Sequence, residues 1–457
     1  MLTFFWPLPY GRSSESLLLA GLQHLNSQNC THSYLLWISL LALGMRLGVL
    51  VFYRDQLGMD VDAYLAHAQT LLDNGGYFKP GTEVPTAFRP PLLPILYAAI
   101  LSLGGGLWGI GIVQVMLGTA SVWFTGKTAS RMGNQATGAV AAGVMAFDPL
   151  LLFATASLMT ETLFVFLLSL FCWRVSAINE KSAAFPLVTL GLIGGALALC
   201  RPGIWAWGGL VGVSCLIIAI RKKRMGLFLR QGILIFTGIS IVVLPWVVRN
   251  WVVMGQPILT TTHGGYTLLL GNNETFYKEV ISQPWGTTWQ GDSLDRWQIE
   301  MEAEMRADLG QQEATGEIAR DRWMNSRAKN WIVNHPGSFF DSSWLRLRRF
   351  WALAPHSVDE ENRMIGIAIS GYYILLYLAS IIGLGFWLLF RKSEVPVVRV
   401  LTFTLLCVVS LTLIHLVYWS NMRMRAPVDF CLAIFAGGIA LGFTERRLHR
   451  TASTKDK

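Results

Sequence analysis

The chain has 457 residues, of which 53% are hydrophobic and only 14% are charged, so a single soluble core is excluded and repeated membrane spans are indicated. Its formal net charge of +9 suggests a nucleic-acid partner, but the Lys and Arg residues cluster in short runs beside apolar segments, which indicates membrane-topology signals instead. Five of the six cysteines fall inside apolar segments, so neither a disulfide framework nor a metal-ligand spacing is indicated.

Apolar windows of bilayer-spanning length recur along the chain, so we predict an all-α membrane protein with about ten transmembrane helices. The windows lie near 34–53, 109–126, 136–156, 159–178, 185–200, 203–220, 232–251, 366–390, 399–419 and 426–443. A further apolar stretch near 91–107 is shorter, with prolines at its start and three glycines near its end. We predict that it is an interfacial helix, because only then do all the basic runs fall on one side of the membrane.

This topology divides the chain into five parts. We predict an N-terminal cytoplasmic segment (1–33), a seven-span membrane core (34–251) that includes an external loop (54–108), an extracytoplasmic loop domain (252–365), a three-span C-terminal bundle (366–445) and a cytoplasmic tail (446–457). The first segment lacks the features of a signal peptide, so we expect it to be retained. The loop domain contains seven tryptophans, so we expect it to fold against the membrane surface.

Five arginines lie at span ends on the predicted outer face, where the positive-inside rule supplies no reason for them. They are Arg89, Arg201, Arg249, Arg423 and Arg425. For any one of them alone, snorkelling or contact with lipid headgroups is as good an explanation as a bound ligand. Together they indicate an anionic ligand at the outer interface, and phosphate is the anion that a forked guanidinium binds best.

Three acids also stand at outer helix ends. Asp60 and Asp62 follow the first span, and Glu161 begins a later one. A helix cap or a first-turn carboxylate would explain each of them alone. If the helix begins before residue 60, Asp60 shares a stripe with Tyr64 and His67 while Asp62 points elsewhere, so we expect the two aspartates to differ in role.

His263 is a lone histidine in a Gly-rich external loop. A packing or surface role is the favoured interpretation of such a residue, and metal binding is the alternative. No cofactor is predicted with certainty, and a divalent metal is left open.

A series of short motifs follows the same order as the landmarks of a known fold. Asp60 precedes Tyr64 by four residues, and the later motifs are RPPLLP, DPLLLFATASLMTETLF, CRPGIW, LPWVVRNWVVMGQP with GNN after it, and RMRAPVDF. In this order, over roughly residues 35 to 443, the chain resembles the polytopic glycosyltransferases of the GT-C fold. The resemblance is to the protein-mannosyltransferase and aminoarabinose-transferase-like families, that is, glycosyltransferase family 39-like proteins.

The resemblance implies a membrane enzyme that moves a hexose or pentose from a polyprenyl-phosphate donor to a lipid, glycan or protein acceptor, with inversion. The active site is then expected on the extracytoplasmic face of the inner or plasma membrane, and no nucleic-acid partner is expected. The implied site has Asp60 as catalytic base, Asp62 and Glu161 as supporting acids, Arg89, Arg201, Arg249, Arg423 and Arg425 as donor ligands, and Tyr64, His67 and His263 as lining residues.

Two positions depart from the family pattern. Phe88, Arg89 and Pro90 stand where aminoarabinose-transferase-like members have acid, lysine and proline, so the metal site of those members is not carried over. Val61 stands where a second acid usually follows the first. The alternative function is a transporter or lipid flippase of the cell envelope, which predicts ionisable residues near mid-membrane and broken helices in two related halves.

Overall fold

The protein is a bundle of apolar helices with a smaller group of polar helices packed against it. The structure is a computed structural model that describes residues 34–313, 316–356, 363–391 and 394–444. The predicted segment 1–33, the tail 446–457 and Lys392 of a basic run lie outside the described residues. The described ranges contain no β-strand, only one isolated bridge between Phe78 and Pro85, so the predicted all-α class is confirmed.

The helices are named here in chain order. They are α1 (Tyr34–Phe52), α2 (Tyr64–Asn74), α3 (Leu92–Ser102), α4 (Gly106–Met132), α5 (Gln135–Phe147), α6 (Pro149–Ala154), α7 (Glu161–Ala177), α8 (Ala184–Cys200), α9 (Ile204–Arg221), α10 (Met225–Met254), α11 (Gly264–Leu270), α12 (Asp292–Glu313), α13 (Glu317–Asn334), α14 (Pro336–Phe350), α15 (Arg363–Phe390), α16 (Val395–Val417) and α17 (Met422–Thr444). In the described part of the chain, α1, α4, α9, α10, α15, α16 and α17 are long and apolar enough to cross a membrane. The protein is therefore a polytopic membrane protein.

The predicted count of about ten spans is not confirmed. Every predicted window contains a helix, but α5, α7 and α8 have only 13, 17 and 17 residues. A 17-residue helix is about 25 Å long, which is less than the roughly 30 Å of a bilayer core. The window 136–156 is divided because the Asp148 side chain accepts a hydrogen bond from the backbone N–H of Leu151 and Pro149 begins α6.

The stretch near 91–107 forms α3, a helix of 11 residues. Its length is about 16 Å, roughly half of a bilayer core. That length suits the predicted interfacial helix, and its position relative to the membrane stays a prediction.

α17 is the central helix of the bundle. It packs against α5, α7, α15 and α16, and 89% of its most apolar window is buried inside the protein. Small residues such as Ala426, Ala433 and Gly437 allow the surrounding helices to approach closely. The first turn of this helix carries Arg423 to the end of the bundle where the site lies.

The tryptophan-rich segment has a hydrophobic core of its own. Trp289 and Trp297 are buried there together with Phe276, Tyr277 and Met324. The tryptophans are not equivalent, since the side chains of two others in the segment remain largely exposed. These two are Trp285 and Trp344, at 46% and 61% exposure.

Candidate active site

Asp62 lies at the centre of a group of charged side chains at one end of the bundle. It sits in the connection between α1 and α2, its Oδ1 is 3.1 Å from Nη2 of Arg89, and its Oδ2 is 3.1 Å from Nη2 of Arg423. Arg89 precedes α3 in sequence, whereas Arg423 belongs to α17. One carboxylate therefore joins residues 54–108, which are predicted to be external and are called the first external loop here, to the last helix in the described part of the chain.

Glu161 extends this group of charges across the bundle. It is the first residue of α7 and is almost completely buried, at 1% side-chain exposure. Its Oε1 lies 3.0 Å from Nη2 of Arg201 and 3.1 Å from Nε of Arg423. We call Asp62, Arg89, Glu161, Arg201 and Arg423 the charged network.

The charged network has three guanidinium groups and two carboxylates, so it carries a net positive charge. Its other four side chains are 17–29% exposed, which leaves them within reach of a ligand. Burial raises the pKa of Asp62, but the adjacent guanidinium groups of Arg423 and Arg89 outweigh that effect and hold the pKa below its ordinary value. Asp62 is therefore ionised at neutral pH, and the network attracts anions.

His263 adjoins the network without adding charge. Its Nε2 lies 3.4 Å from Nη1 of Arg89, and the ring of Phe88 packs edge-on against it at 4.3 Å between centroids. Burial, reinforced by the positive charge of Arg89, lowers the pKa of His263 to about 3. The imidazole is neutral over the physiological pH range, as in the packing role that the sequence favoured.

Asp60 occupies a different position from the one that the helical stripe predicts. α2 begins only at Tyr64, and the two oxygens of Asp60 accept hydrogen bonds from the backbone N–H groups of Leu65 and Ala66, at 3.0 and 2.8 Å. Asp60 thus satisfies two free N–H donors in the first turn of α2. This is the helix-capping role that the sequence left open as an alternative. The shared stripe with Tyr64 and His67 is wrong, because Asp60 is not part of the helix.

A buried tyrosine lies within electrostatic range of both Asp60 and the network. Tyr97 of α3 has no exposed surface, and its hydroxyl has no hydrogen-bond partner among the described residues. Burial raises its pKa, and the negative charges of Asp60 and Glu161 add to that effect, so the phenol lies within electrostatic range of both acids. Tyr97 was not predicted as a site residue, because in the sequence it is only one aromatic residue within an apolar stretch.

The two other predicted lining residues on α2 differ in position. Tyr64 is buried beneath the network, with the guanidinium carbon of Arg89 5.5 Å from its ring centroid. His67 instead lies 3.1 Å from the carbonyl oxygen of Phe78 through Nδ1 and stacks on Tyr77. Burial lowers the pKa of His67 to about 4, so this residue is a neutral packing group.

Two of the five predicted donor-binding arginines lie outside the network. Arg249 donates 2.7 Å to the carbonyl oxygen of Thr86 and also binds the carbonyl oxygen of Tyr77, so it secures the first external loop. Arg425 is completely buried, pairs with Asp429 at 2.9 Å and donates to the carbonyl oxygen of Ala352 at 2.7 Å. Both arginines hold backbone in place, whereas Arg89, Arg201 and Arg423 are the ones that come together.

A cavity of about 1010 Å³ lies beside the network and is called the outer cavity here. Its lining includes Phe88, Tyr266, Asp295, Gln298, Glu302 and Arg306. Phe88 and Tyr266 both contact the His263 ring, with centroid distances of 4.3 and 5.4 Å, so the cavity reaches the residues next to Arg89.

Glu317, at the start of α13, connects two segments that are distant in sequence at this cavity. Its carboxylate accepts hydrogen bonds from the hydroxyl groups of Thr86 and Thr262 and, at 2.8 Å, from the backbone N–H of Ala87. The first external loop and the segment after α10 are therefore joined at the edge of the network.

A divalent metal does not fit the acidic residues of this site. Within the described ranges, no three His, Cys, Asp or Glu side chains come close enough to hold a metal ion. Asp62 and Glu161 are each paired with two arginines, whose charge repels a cation. The charged side chains of this site are therefore suited to binding an anion.

No protein-family model matches the sequence, and no curated protein matches it. The structure is similar to that of the archaeal oligosaccharyltransferase AglB from Archaeoglobus fulgidus in complex with an inhibitory peptide and a dolichol-phosphate, with a TM-score of 0.54 and 14% identity over 94% of this chain and 52% of that one. The apo oligosaccharyltransferase of the same organism gives a TM-score of 0.53 and 13% identity over 93% and 52% of the two chains. ArnT from Cupriavidus metallidurans bound to undecaprenyl phosphate gives 0.42 and 12% identity over 89% and 77%.

The chain has the GT-C-like fold. It spans about half the length of the archaeal oligosaccharyltransferases that it matches. At 13–14% identity the likeness concerns the fold, and it confirms the predicted fold class. The fold alone does not specify the reaction, which depends on the residues of the charged network.

Proposed function

We propose that this protein is a membrane glycosyltransferase that moves a sugar from a polyprenyl-phosphate-linked donor to an acceptor on the extracytoplasmic face. The charged network carries the proposal, because it gathers three arginines from separate parts of the chain at one end of an apolar bundle. The GT-C-like fold supports it as well, since the similar structure of AglB holds a dolichol-phosphate.

Arg89, Arg201 and Arg423 bind the phosphate of the carrier in this proposal. Asp62 and Glu161 hold the guanidinium groups in fixed orientations, with contacts of 3.0–3.1 Å, so that little reorganisation is needed when the phosphate arrives. As the bond between C1 of the sugar and the phosphate oxygen breaks, its electron pair remains on the phosphate. The arginines stabilise the charge that develops there.

Asp60 is the general base. The acceptor hydroxyl or amine loses its proton to a carboxylate as it attacks C1 from the face opposite the phosphate, which inverts the configuration. Asp60 forms no ion pair with a described residue, and the two amide hydrogen bonds fix its orientation. Asp62 is less suited to accept a proton, because each of its oxygens already faces a guanidinium group.

The outer cavity is the route of the acceptor. Its aromatic wall at Phe88 and Tyr266 lies against His263, next to Arg89, and polar groups such as Gln298 and Glu302 also line it. An acceptor that enters through this cavity meets the donor at the network. The lipid tail of the carrier meanwhile stays beside the apolar bundle.

The experiment compares three carboxamide variants in cells that lack the endogenous protein. Mass spectrometry of envelope glycans and glycolipids identifies the product that disappears without the protein and returns with the wild-type chain. Asp60→Asn should lower its formation by about 10²–10⁴-fold, as expected for loss of a general base. Asp62→Asn should have a smaller effect, and Asp73→Asn, an exposed carboxylate on α2, is the matched control and should restore the product fully.

Stability is measured in parallel for the same variants. Asparagine is also a good helix cap but keeps only one of the two acceptor oxygens, so Asp60→Asn should remain folded and cost about 1 kcal/mol of stability. Restoration of the product by Asp60→Asn to wild-type levels would exclude this base. A larger loss with Asp62→Asn would assign the base to Asp62, and an unchanged envelope in cells without the protein would contradict the proposed function as a whole.

A further inference from the structure

A second cavity lies at the opposite end of the helix bundle from the charged network. α7 begins at Glu161 in the network and ends beside Ile178, which lines this cavity. α9 follows Arg201 of the network and ends beside Lys222, which also lines it. The cavity has a volume of about 170 Å³ and is called the inner cavity here.

The wall of the inner cavity follows one face of α9. The residues of this helix that line it are Val211, Ser214, Cys215, Ile218 and Ala219, with Lys222 just after the helix end. Spacings of three and four residues place them on a single stripe, and eleven positions cover about 16 Å. Leu187, Phe228 and Leu406 from neighbouring helices close the other sides, so the cavity is elongated and mainly apolar.

The rim of the inner cavity is positively charged. It contains Lys222, Arg224 and Arg399, of which Arg224 pairs with Glu180. Lys222 is exposed, and neither Lys222 nor Arg399 forms an ion pair with a described carboxylate. Arg399 is fixed at the rim because its Nη1 donates to the carbonyl oxygens of Val175 and Ile178 at the end of α7. An elongated apolar space with an excess of fixed positive charge at one end matches one acyl chain and the phosphate of a lipid.

We infer that the inner cavity binds an anionic phospholipid, with an acyl chain along the α9 stripe and the headgroup phosphate at Lys222 and Arg399. Basic pockets between transmembrane helices are recurrent sites for anionic headgroups. This lipid is separate from the proposed sugar donor, because the charged network lies at the other end of α7 and α9. The inference therefore does not depend on the proposed function.

Native mass spectrometry of the purified full-length protein tests the site. Delipidated protein is titrated with phosphatidylglycerol or phosphatidylcholine in the same detergent. Wild-type protein should retain phosphatidylglycerol in preference to phosphatidylcholine. Lys222→Gln should weaken that retention by about fivefold, the value of one basic residue near a headgroup, whereas Arg221→Gln, which removes a neighbouring charge outside the cavity, should not.

A second pair of variants tests the acyl-chain part of the site. Ser214→Phe fills the middle of the stripe and should abolish selective retention of phosphatidylglycerol. Leu216→Phe adds the same ring on an exposed face of α9 that does not line the cavity, and it should retain the lipid as the wild type does. Equal retention of phosphatidylcholine by the wild type, or equal effects of Ser214→Phe and Leu216→Phe, would each overturn the inference.

Discussion

Most of the network residues were predictable from the sequence, but their individual contacts were not. Arg89, Arg201 and Arg423 were identified because they are charges at span ends on the predicted outer face. The contacts of the two aspartates were not predictable, because Ala63 between them and α2 adopts a left-handed backbone conformation, with φ of 59°. A helical-wheel argument assumes regular backbone at that point, and the assumption fails.

The same limit explains the arginines that lie outside the network. Arg249 binds carbonyl oxygens of the first external loop, and Arg425 pairs with Asp429 inside the bundle. Arg249 and Arg425 lie at span ends, as Arg201 and Arg423 do. What separates them is the tertiary partner, and one sequence carries no record of that partner.

Loss of a network arginine should weaken binding of the carrier phosphate. A charge-assisted hydrogen bond contributes on the order of 1.5–3 kcal/mol, so Arg201→Gln and Arg423→Gln should each weaken the affinity for undecaprenyl phosphate by about tenfold or more. Arg54→Gln removes an exposed arginine between α1 and α2, outside the network, and should bind as the wild type does. Isothermal titration of the proteins in nanodiscs measures the affinities. Wild-type affinity in both network variants would mean that the phosphate binds elsewhere.

At the scale of elements, hydropathy located the helices better than it located the spans. Every predicted window contains a helix, because an apolar run of that length is stable in no other regular form. The count of spans was not confirmed, because α5 ends just before Asp148 and because α7 and α8 are about three residues shorter than a typical span. Hydropathy averaged over a window of residues does not detect a helix cap inside an apolar run.

Packing between α8 and α10 is a second feature that hydropathy does not reveal. A Cβ atom at Gly191 would lie 2.0 Å from the carbonyl oxygen of Ile235, and one at Gly238 would lie 2.2 Å from that of Val188. The two backbones are therefore in direct contact, an arrangement that small residues permit in membrane proteins.

Adding a methyl group at this contact should destabilise the protein. Gly238→Ala forces α8 and α10 apart and should cost about 1–3 kcal/mol, the usual range for overpacking. Gly232→Ala, two turns earlier on α10, meets no atom within 4 Å and should be neutral or stabilise the helix by up to about 1 kcal/mol. Thermal unfolding in detergent compares the two variants. A lower unfolding temperature for Gly232→Ala than for Gly238→Ala would contradict the packing argument.

At the scale of the whole molecule, the site forms where two segments that are distant in sequence meet. Thr86 and Ala87 of the first external loop bind Glu317, and Phe88 packs against His263 of the later segment. If all the basic runs lie on one side of the membrane, these segments share the other side, and their direct contact agrees with that prediction. The positions of the basic runs do not reveal that a cavity adjoins the contact, because the cavity depends on how α12 and α13 pack after the chain leaves the bundle.

Cysteine labelling in intact cells tests on which side of the membrane the site lies. In a background where all six native cysteines are replaced, single cysteines are placed at Lys79 in the first external loop and at Glu300 on α12, both exposed positions. A membrane-impermeant maleimide should label both from outside. The predicted topology, with all the basic runs on the cytoplasmic side, assigns both segments to the extracytoplasmic face. A cysteine at Arg221, at the opposite end of the bundle, should react only after the cells are permeabilised. Labelling of Arg221→Cys in intact cells, with Lys79→Cys and Glu300→Cys protected, would invert the topology and move the active site to the cytoplasmic face.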